Sequence, residues 1–207
     1  MRGLGYHARV MDETASFLLA ALALTGSPGP NTLSLAAVGA AFGRKRGFRY
    51  FLGLNLGMIG VIIIVGSGVS GVLLALPGAA PVIAVLAALY FAYLAYRIAT
   101  APPLDGDAAP GTEPRWYEGT LLSLVNPKAY AAMAALFSGF TLVAGAPFAD
   151  TLTKAALVMA TLVCVNVGWL TAGAALTHLL RHPRHARIVN IGFAALLVVS
   201  VAATFLL

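Results

Sequence analysis

The stretch Ser27-Pro28-Gly29-Pro30-Asn31 interrupts an apolar run that extends over residues 16–42. The run is long enough to cross a bilayer as one helix. Proline removes a backbone donor and clashes with the preceding turn, and glycine adds backbone freedom, so a continuous helix is not expected here. Backbone groups freed inside a membrane need partners within the protein or in a water-lined cavity. The sequence therefore predicts a helix that is broken near the middle of the membrane.

A second break of the same kind lies in the other half of the chain. Asn126-Pro127-Lys128 falls within the apolar run over residues 119–143, and Pro127 follows Pro30 by 97 positions. Two proline-interrupted spans at corresponding places in two halves are the sequence pattern that best indicates a transporter binding site. We therefore expect the two breaks to meet in one cavity.

The composition indicates an integral membrane protein. The chain has 207 residues, of which 60% are hydrophobic and only 10% are charged, and its mean hydropathy is +0.89. A soluble domain carries about 25% charged residues. The single cysteine, Cys164, excludes an intramolecular disulfide and paired-cysteine redox chemistry.

The hydropathy pattern predicts an all-α membrane protein with six transmembrane helices in two inverted three-helix repeats, in which helices 1 and 4 are broken near mid-membrane. An N-terminal tail (1–15) precedes the first repeat (16–99), and a polar linker loop (100–118) leads to the second repeat (119–207). The predicted spans are residues 16–42, 50–76, 82–99, 119–143, 152–180 and 188–207.

The distribution of Lys and Arg predicts the orientation. Basic loops are expected at residues 43–49 and 181–187, and three basic residues, Arg2, Arg9 and Lys154, are expected on the opposite side. Cytoplasmic loops carry the excess of positive charge. The chain is therefore predicted to lie in a bacterial cytoplasmic membrane with both termini outside the cytoplasm. The nine basic residues assigned to the cytoplasmic side are Arg44, Lys45, Arg46, Arg49, Arg97, Arg115, Arg181, Arg184 and Arg187.

Polar side chains inside the predicted spans are the candidate binding residues. Lys128 is the only basic residue placed well inside a span, where a charge costs several kcal/mol and indicates function, although its stem could also carry the amine to the membrane surface. The asparagine amides could hold a ligand, bond freed backbone groups at the breaks, or link neighbouring helices. The candidate substrate-binding residues are Ser27, Pro28, Gly29, Pro30, Asn31, Asn55, Asn126, Pro127, Lys128 and Asn166.

The acidic residues argue against several other functions. All seven Asp and Glu residues are expected in tails, loops or span ends. This distribution argues against a mid-membrane carboxylate relay and against a metal or other cation as cargo. The spans also lack the residue pairs of a catalytic site, so we expect neither an enzyme, nor a cofactor, nor a nucleic-acid partner.

With these motifs in view, the chain resembles the LysE/RhtB family of bacterial amino-acid exporters over nearly its whole length. The first break stands where the family has Thr-Pro-Gly-Pro-Asn, with Ser27 in place of Thr. The other matching motifs are Gly53-Leu54-Asn55-Leu56-Gly57, Tyr90-x-x-Tyr93-Leu94 and Leu124-x-Asn126-Pro127-Lys128. The resemblance implies six helices, an inverted repeat and export of amino acids or related metabolites in exchange for protons.

The function expected from the residues and the resemblance together is export of a neutral amino acid or a close derivative. A second positive charge on the substrate would find no acidic residue within the predicted spans. The expected partners are the small-molecule substrate, protons and the lipid bilayer, with a homo-oligomer left open. The alternative is a membrane scaffold or assembly protein without transport activity, in which the breaks are structural kinks and Lys128 reaches the membrane surface.

Overall fold

Helices make up nearly all of the described chain, as its long apolar runs predict. The structure is a computed structural model that describes residues 2–68, 78–100, 114–176 and 183–206. Within these ranges it contains seven α-helices and no strand. They are α1 (Arg2–Gly26), α2 (Pro30–Gly66), α3 (Ala79–Ala99), α4 (Trp116–Leu124), α5 (Pro127–Gly139), α6 (Pro147–Ala175) and α7 (Pro183–Leu206).

The two breaks lie at the prolines that predict them. At the first break α1 ends at Gly26 and α2 begins at Pro30. At the second break α4 ends at Leu124 and α5 begins at Pro127. Proline suits the first position of a helix, because the N–H that it lacks would have no partner there and its φ is already helical.

The expected basic loop over residues 43–49 is wrong, because α2 continues through it. Only Gly43 leaves the helical conformation, with φ 72° and ψ 174°, and the helix resumes immediately after it. A positive φ is readily available only to glycine, and lysine and arginine are good helix formers. The result is a kink with three exposed basic residues, Arg44, Lys45 and Arg46, just beyond it.

Several other helix ends differ from the sequence expectation, because hydropathy follows the apolar part of a helix and not its ends. The N-terminal tail is helical from Arg2, and α4 begins at Trp116 inside the expected linker loop. The helices α6 and α7 begin at Pro147 and Pro183, five residues before the apolar runs. The rest of the expected linker and the ends of the second and fifth spans fall at least partly on residues 69–77, 101–113 and 177–182, outside the described residues.

Glycines allow the long helices to cross with their backbones in contact. A Cβ placed on Gly39 or Gly173 would overlap the backbone of the other helix, where the first part of α2 crosses α6. The second part of α2 crosses α4 in the same way, through Gly53 and Gly119. Small residues at such crossings let helices pack closely in the absence of a hydrophobic driving force. These contacts explain the glycine-rich sequence of α2 as packing within one chain.

Two apolar clusters fill the interior. One surrounds Tyr50, Leu54 and Leu122, and the other surrounds Phe17, Met133 and other residues of α1, α2, α5 and α6. Large apolar side chains also cover the outside, for example Leu19 and Ile63, which are 68% and 63% exposed. Of the described helices, α2 and α6 are long and apolar enough to cross a membrane.

Candidate functional site

The two breaks are joined by a chain of polar side chains. The Nδ2 of Asn126 donates to the Oδ1 of Asn31 at 2.9 Å, and the Nδ2 of Asn31 donates to the Oγ of Ser123 at 3.0 Å. Ser123 in turn donates to the carbonyl of Leu54 at 3.0 Å. These bonds connect residues more than 60 positions apart, so they form only when α2, α4 and α5 pack together.

At each break, a side chain also accepts a hydrogen bond from a backbone N–H at the start of the following helix. Asn126 is the N-cap of α5, and its Oδ1 accepts from the backbone N–H of Lys128 at 3.1 Å. Such a cap provides a partner for one of the helix's first N–H groups. At the first break the Oγ1 of Thr32 accepts from the backbone N–H of Gly29 at 2.9 Å. Asn126 therefore has a structural role besides any contact with a ligand, as Asn31 has through its hydrogen bond to Ser123.

Lys128 connects the second break directly to the first. Its Nζ lies 3.0 Å from the carbonyl oxygen of Ser27, 2.8 Å from the Oγ of Ser27 and 2.9 Å from the carbonyl oxygen of Pro28. An ammonium has three N–H donors, and three acceptors surround it here. The amine lies at the carbonyl end of α1, which is the negative end of the helix dipole. Lys128 thus reaches across to the other broken helix.

A second asparagine pair lies beside the cavity. The Nδ2 of Asn166 on α6 donates to the Oδ1 of Asn55 on α2 at 3.2 Å, and Asn55 donates to the carbonyl of Phe51 at 2.7 Å. The two asparagines are 1% and 8% exposed. The pair therefore links the two helices, as one interpretation of the sequence expects.

A small cavity lies between the breaks, and seven of the ten candidate residues line it. The cavity volume is about 40 Å³, enough to hold water. The lining residues include Ser27, Gly29, Pro30, Asn31, Asn126, Lys128 and Asn166, together with Thr25, Met58, Met133 and Leu162.

The other three candidates do not line the cavity. Pro28 contributes its carbonyl oxygen to Lys128, Pro127 starts α5, and Asn55 lies behind Asn166. The sequence analysis missed Ser123 and also Trp169, whose Nε1 donates to the carbonyl of Gly26 at the end of α1, at 3.2 Å. No sequence signal singled out either residue, because their partners lie far away in the chain.

Asp150 lies at a helix end, where the sequence analysis expects the acidic residues, but its partner was not predicted. It lies in the first turn of α6, and its Oδ2 is 2.6 Å from the Nζ of Lys154. Both side chains are buried, and the i, i+4 spacing was the available sequence signal. Asp150 accepts from the backbone of Leu142 and Val143, and Lys154 donates to the carbonyls of Phe137 and Phe140. This pair therefore ties the segment after α5 to α6, away from the cavity.

Metal binding has no support in the described part of the chain. There, no group of three or more His, Cys, Asp and Glu side chains could hold a metal ion. The chemistry available in the cavity is that of one ammonium, several amides and hydroxyls, and the apolar side chains around them. Such a lining can recognise a small polar molecule.

Comparison with known proteins gives the family. A sequence model of the family described as LysE type translocator matches residues 22–207. Proteins named cysteine/O-acetylserine efflux protein from Salmonella choleraesuis (strain SC-B67) and Salmonella typhimurium (strain LT2) are each 29% identical to the chain over 177 residues, which cover 83% of this chain and 87% of each relative. No solved structure matches the chain. The chain belongs to the LysE type translocators, which are membrane transport proteins and not enzymes.

Proposed function

We propose that this protein exports a small neutral amino acid, or a close derivative, from the cytoplasm in exchange for protons. The substrate binds in the cavity between the two breaks, and the two halves of the chain rock around it to open the cavity to one side at a time. Membership of the family and the likeness to two efflux proteins support export. The observation that carries the mechanism is the contact of Lys128, on one broken helix, with the carbonyl end of the other.

This contact gives substrate binding a means to move the helices. A carboxylate accepts a hydrogen bond from an ammonium more strongly than a neutral carbonyl does. A substrate carboxylate that enters the cavity would therefore take Lys128 away from Ser27 and Pro28 and release the first break from the second. Binding can shift a conformational equilibrium only through such a difference in interaction between the two states. Lys128 thus contacts the substrate when it is present and holds the two breaks together when it is absent. We call the contact of Lys128 with Ser27 and Pro28 the latch.

The residues that line the cavity favour a neutral substrate. No acidic side chain lines it in the described part of the chain, so a second positive charge on the substrate would have no ionic partner. The relatives are named for cysteine and O-acetylserine, which both combine one amino group, one carboxyl group and an uncharged side chain. We place Ser27, Asn31, Asn126 and Lys128 around the carboxylate end of such a molecule.

The packing supports an inverted repeat, although the helix count differs from the six expected spans. The kink at Gly43 divides α2 into two membrane spans, and the two helices on either side of each proline break together form one span. On this interpretation, α1 and the first part of α2 pack on α6, while α4 and α5 pack on the second part of α2, which also contacts α6 through Asn55 and Gly66. Each broken span thus lies against the long unbroken helix of the other half, and α3 pairs with α7. A two-fold axis in the membrane plane would produce this exchange of partners.

The same packing supports an orientation in a bacterial cytoplasmic membrane with both termini outside. Arg97 near the end of α3 pairs with Glu118 at the start of α4, and Gly47, beside the exposed basic residues of α2, lies against Leu170 near the end of α6. These basic positions therefore share one end of the helix bundle. A concentration of Lys and Arg at one end indicates the cytoplasmic side.

Exchange for protons is proposed because Lys128 is the only titratable side chain lining the cavity in the described ranges. An exchanged proton must be carried by a group that alternates between charged and neutral forms within the membrane. Lysine can adopt both forms in a buried site. The substrate carboxylate would then bind the ammonium form of Lys128, and the exchanged proton would bind its neutral amine form.

The test is efflux of a panel of preloaded amino acids from proteoliposomes, with wild type, Lys128→Ala and the control Lys45→Ala compared. Lys45 is an exposed lysine on α2, so its replacement removes the same charge outside the cavity. We expect export of at least one neutral amino acid by wild type and Lys45→Ala, acceleration by an inward proton gradient, and loss in Lys128→Ala. Failure of the wild type to export any amino acid of the panel would contradict the proposed substrate class, and unchanged export by Lys128→Ala would contradict the latch.

A further inference from the structure

The hydrogen bonds around Asn55 and Asn166 determine which atom of Asn166 is available to a ligand. The carbonyl of Phe51 can only accept, so the atom of Asn55 that bonds to it at 2.7 Å must be Nδ2. The Oδ1 of Asn55 then faces Asn166 and must receive a donor, which is the Nδ2 of Asn166 at 3.2 Å. The orientation of both amides therefore follows from one backbone carbonyl. The remaining polar atom of Asn166 is its Oδ1.

This oxygen has no partner within the described part of the chain. Asn166 is 1% exposed and lines the cavity, whereas Asn55 lies behind it and does not. Because the Nδ2 points back to Asn55, the Oδ1 is the atom that faces the cavity. A carbonyl oxygen in the wall of a cavity can accept a hydrogen bond from a molecule that enters it.

The other asparagine pair in the cavity makes the contrast clear. The Oδ1 of Asn126 accepts from Lys128 N, the Nδ2 of Asn126 donates to Asn31, and the Nδ2 of Asn31 donates to Ser123. The side-chain oxygen and nitrogen of both Asn31 and Asn126 therefore take part in hydrogen bonds within the protein. At the breaks each side-chain amide atom thus has at least one partner within the protein, while the pair on α2 and α6 ends in an oxygen with none in the described residues.

We propose that the Oδ1 of Asn166 accepts a hydrogen bond from the ammonium group of the transported amino acid and selects for that group. This inference rests on the proposed function and adds the group that would bind the positively charged end of the substrate. The cavity presents the cationic amine of Lys128 at the breaks and the open acceptor of Asn166 on α6, and an amino acid carries a carboxylate and an ammonium to match them. An amide oxygen suits this task where no carboxylate lines the cavity, because it accepts from a cation without adding a charge to the membrane interior.

The test compares amino acids with analogues that lack only the amino group, in proteoliposomes that contain the full chain. The probes are L-cysteine with 3-mercaptopropionate and L-serine with 3-hydroxypropionate. The variants are wild type, Asn166→Leu and Thr161→Val. Thr161 lies on the same helix and bonds only to the carbonyl of Leu157 within it, so its isosteric replacement leaves the cavity unchanged.

We expect wild type and Thr161→Val to export the amino acid about tenfold or more faster than its analogue, since a hydrogen bond to a charged group is worth at least that factor. In Asn166→Leu the two rates should converge, through a loss of amino-acid export and not a gain for the analogue. The double variant Asn55→Leu/Asn166→Leu should behave in the same way. It removes both amides together and so does not leave Asn55 buried without its partner. The double variant can therefore be measured if Asn166→Leu alone does not fold.

The outcomes separate this inference from the function on which it rests. If the wild type exports neither amino acid nor any other member of the panel, the proposed function fails and this inference fails with it. If the wild type exports amino acids and the folded Asn166 variants still discriminate against the analogues as the wild type does, only the role of Asn166 is refuted. Equal export of both probes by wild type would likewise refute selection for the amino group.

Discussion

Replacing Gly29 with alanine should disable the transporter without unfolding it. The backbone of Gly29 is extended, with φ −172° and ψ 178°, a conformation that any residue adopts. The constraint on this position is space. A Cβ on residue 29 would lie 2.8 Å from the Nζ and 2.9 Å from the Cδ of Lys128. The added methyl group would therefore displace the end of the lysine side chain, which can move, and leave the helices in place.

The size of the effect follows from the displacement. To move from 2.8 Å to the 3.4 Å of an ordinary contact, the ammonium must retreat by about 0.6 Å. A shift of that size away from one of its acceptors in Ser27 or Pro28 lengthens a hydrogen bond of 2.8 to 3.0 Å beyond the usual range. Loss of one such bond to a charged group costs about 1.5–3 kcal/mol. The latch between the breaks should therefore weaken by about 10- to 150-fold.

The assay is efflux from proteoliposomes, with Gly26→Ala as the matched control. A Cβ on Gly26 meets only Leu22 and Val165, at 3.9 Å each, so this variant adds the same methyl group without a clash. We expect Gly29→Ala to lose most of its export and Gly26→Ala to retain it, with both variants folded and monodisperse. Normal export by Gly29→Ala, or an equal loss of export in Gly26→Ala, would refute the reasoning.

Three further predictions concern single positions. Lys154→Met should destabilise the protein by about 3–5 kcal/mol, because Asp150 would remain buried without its partner, and a detergent-solubilised variant with an unchanged melting temperature would contradict this. Gly173→Ala should prevent α6 from packing on the α2 backbone and reduce the yield of monodisperse protein. Gly192→Ala should be neutral, because among the described residues its Cβ would meet no atom of another element within 4 Å. Ser27→Ala removes one of the three acceptors of Lys128 and should slow efflux by about two- to tenfold. Ser27→Thr should retain the wild-type rate, because it keeps the hydroxyl group. Equal rates in all three proteins would exclude a role for that hydroxyl.

Much of the candidate site could be predicted from the sequence, because a proline interrupts a helix at its own position, whatever the rest of the fold. Pro30 and Pro127 each start a helix where the sequence predicts a break, and the lysine that follows the second proline marks the cavity. Helix ends were less accessible. The basic segment after Gly43 remains helical, since one glycine absorbs the whole change of direction and hydropathy does not distinguish a kink from a loop. The pairing of Asp150 with Lys154 was not predicted, because α6 begins before the apolar run that marks it and so carries both residues.

The sequence by itself determined that this is a membrane protein, that two of its spans are broken, and to which family it belongs. Composition, prolines and motif order carry these conclusions, and each depends on residues that are close together in the chain. Only the tertiary structure decided which polar groups are partners. Lys128 meets Ser27 across 101 positions, and Asn166 meets Asn55 across 111, because glycines let the helices cross closely enough for these side chains to reach each other. Hydrogen-bond partners are selected by distance in space, which the order of residues along the chain does not specify.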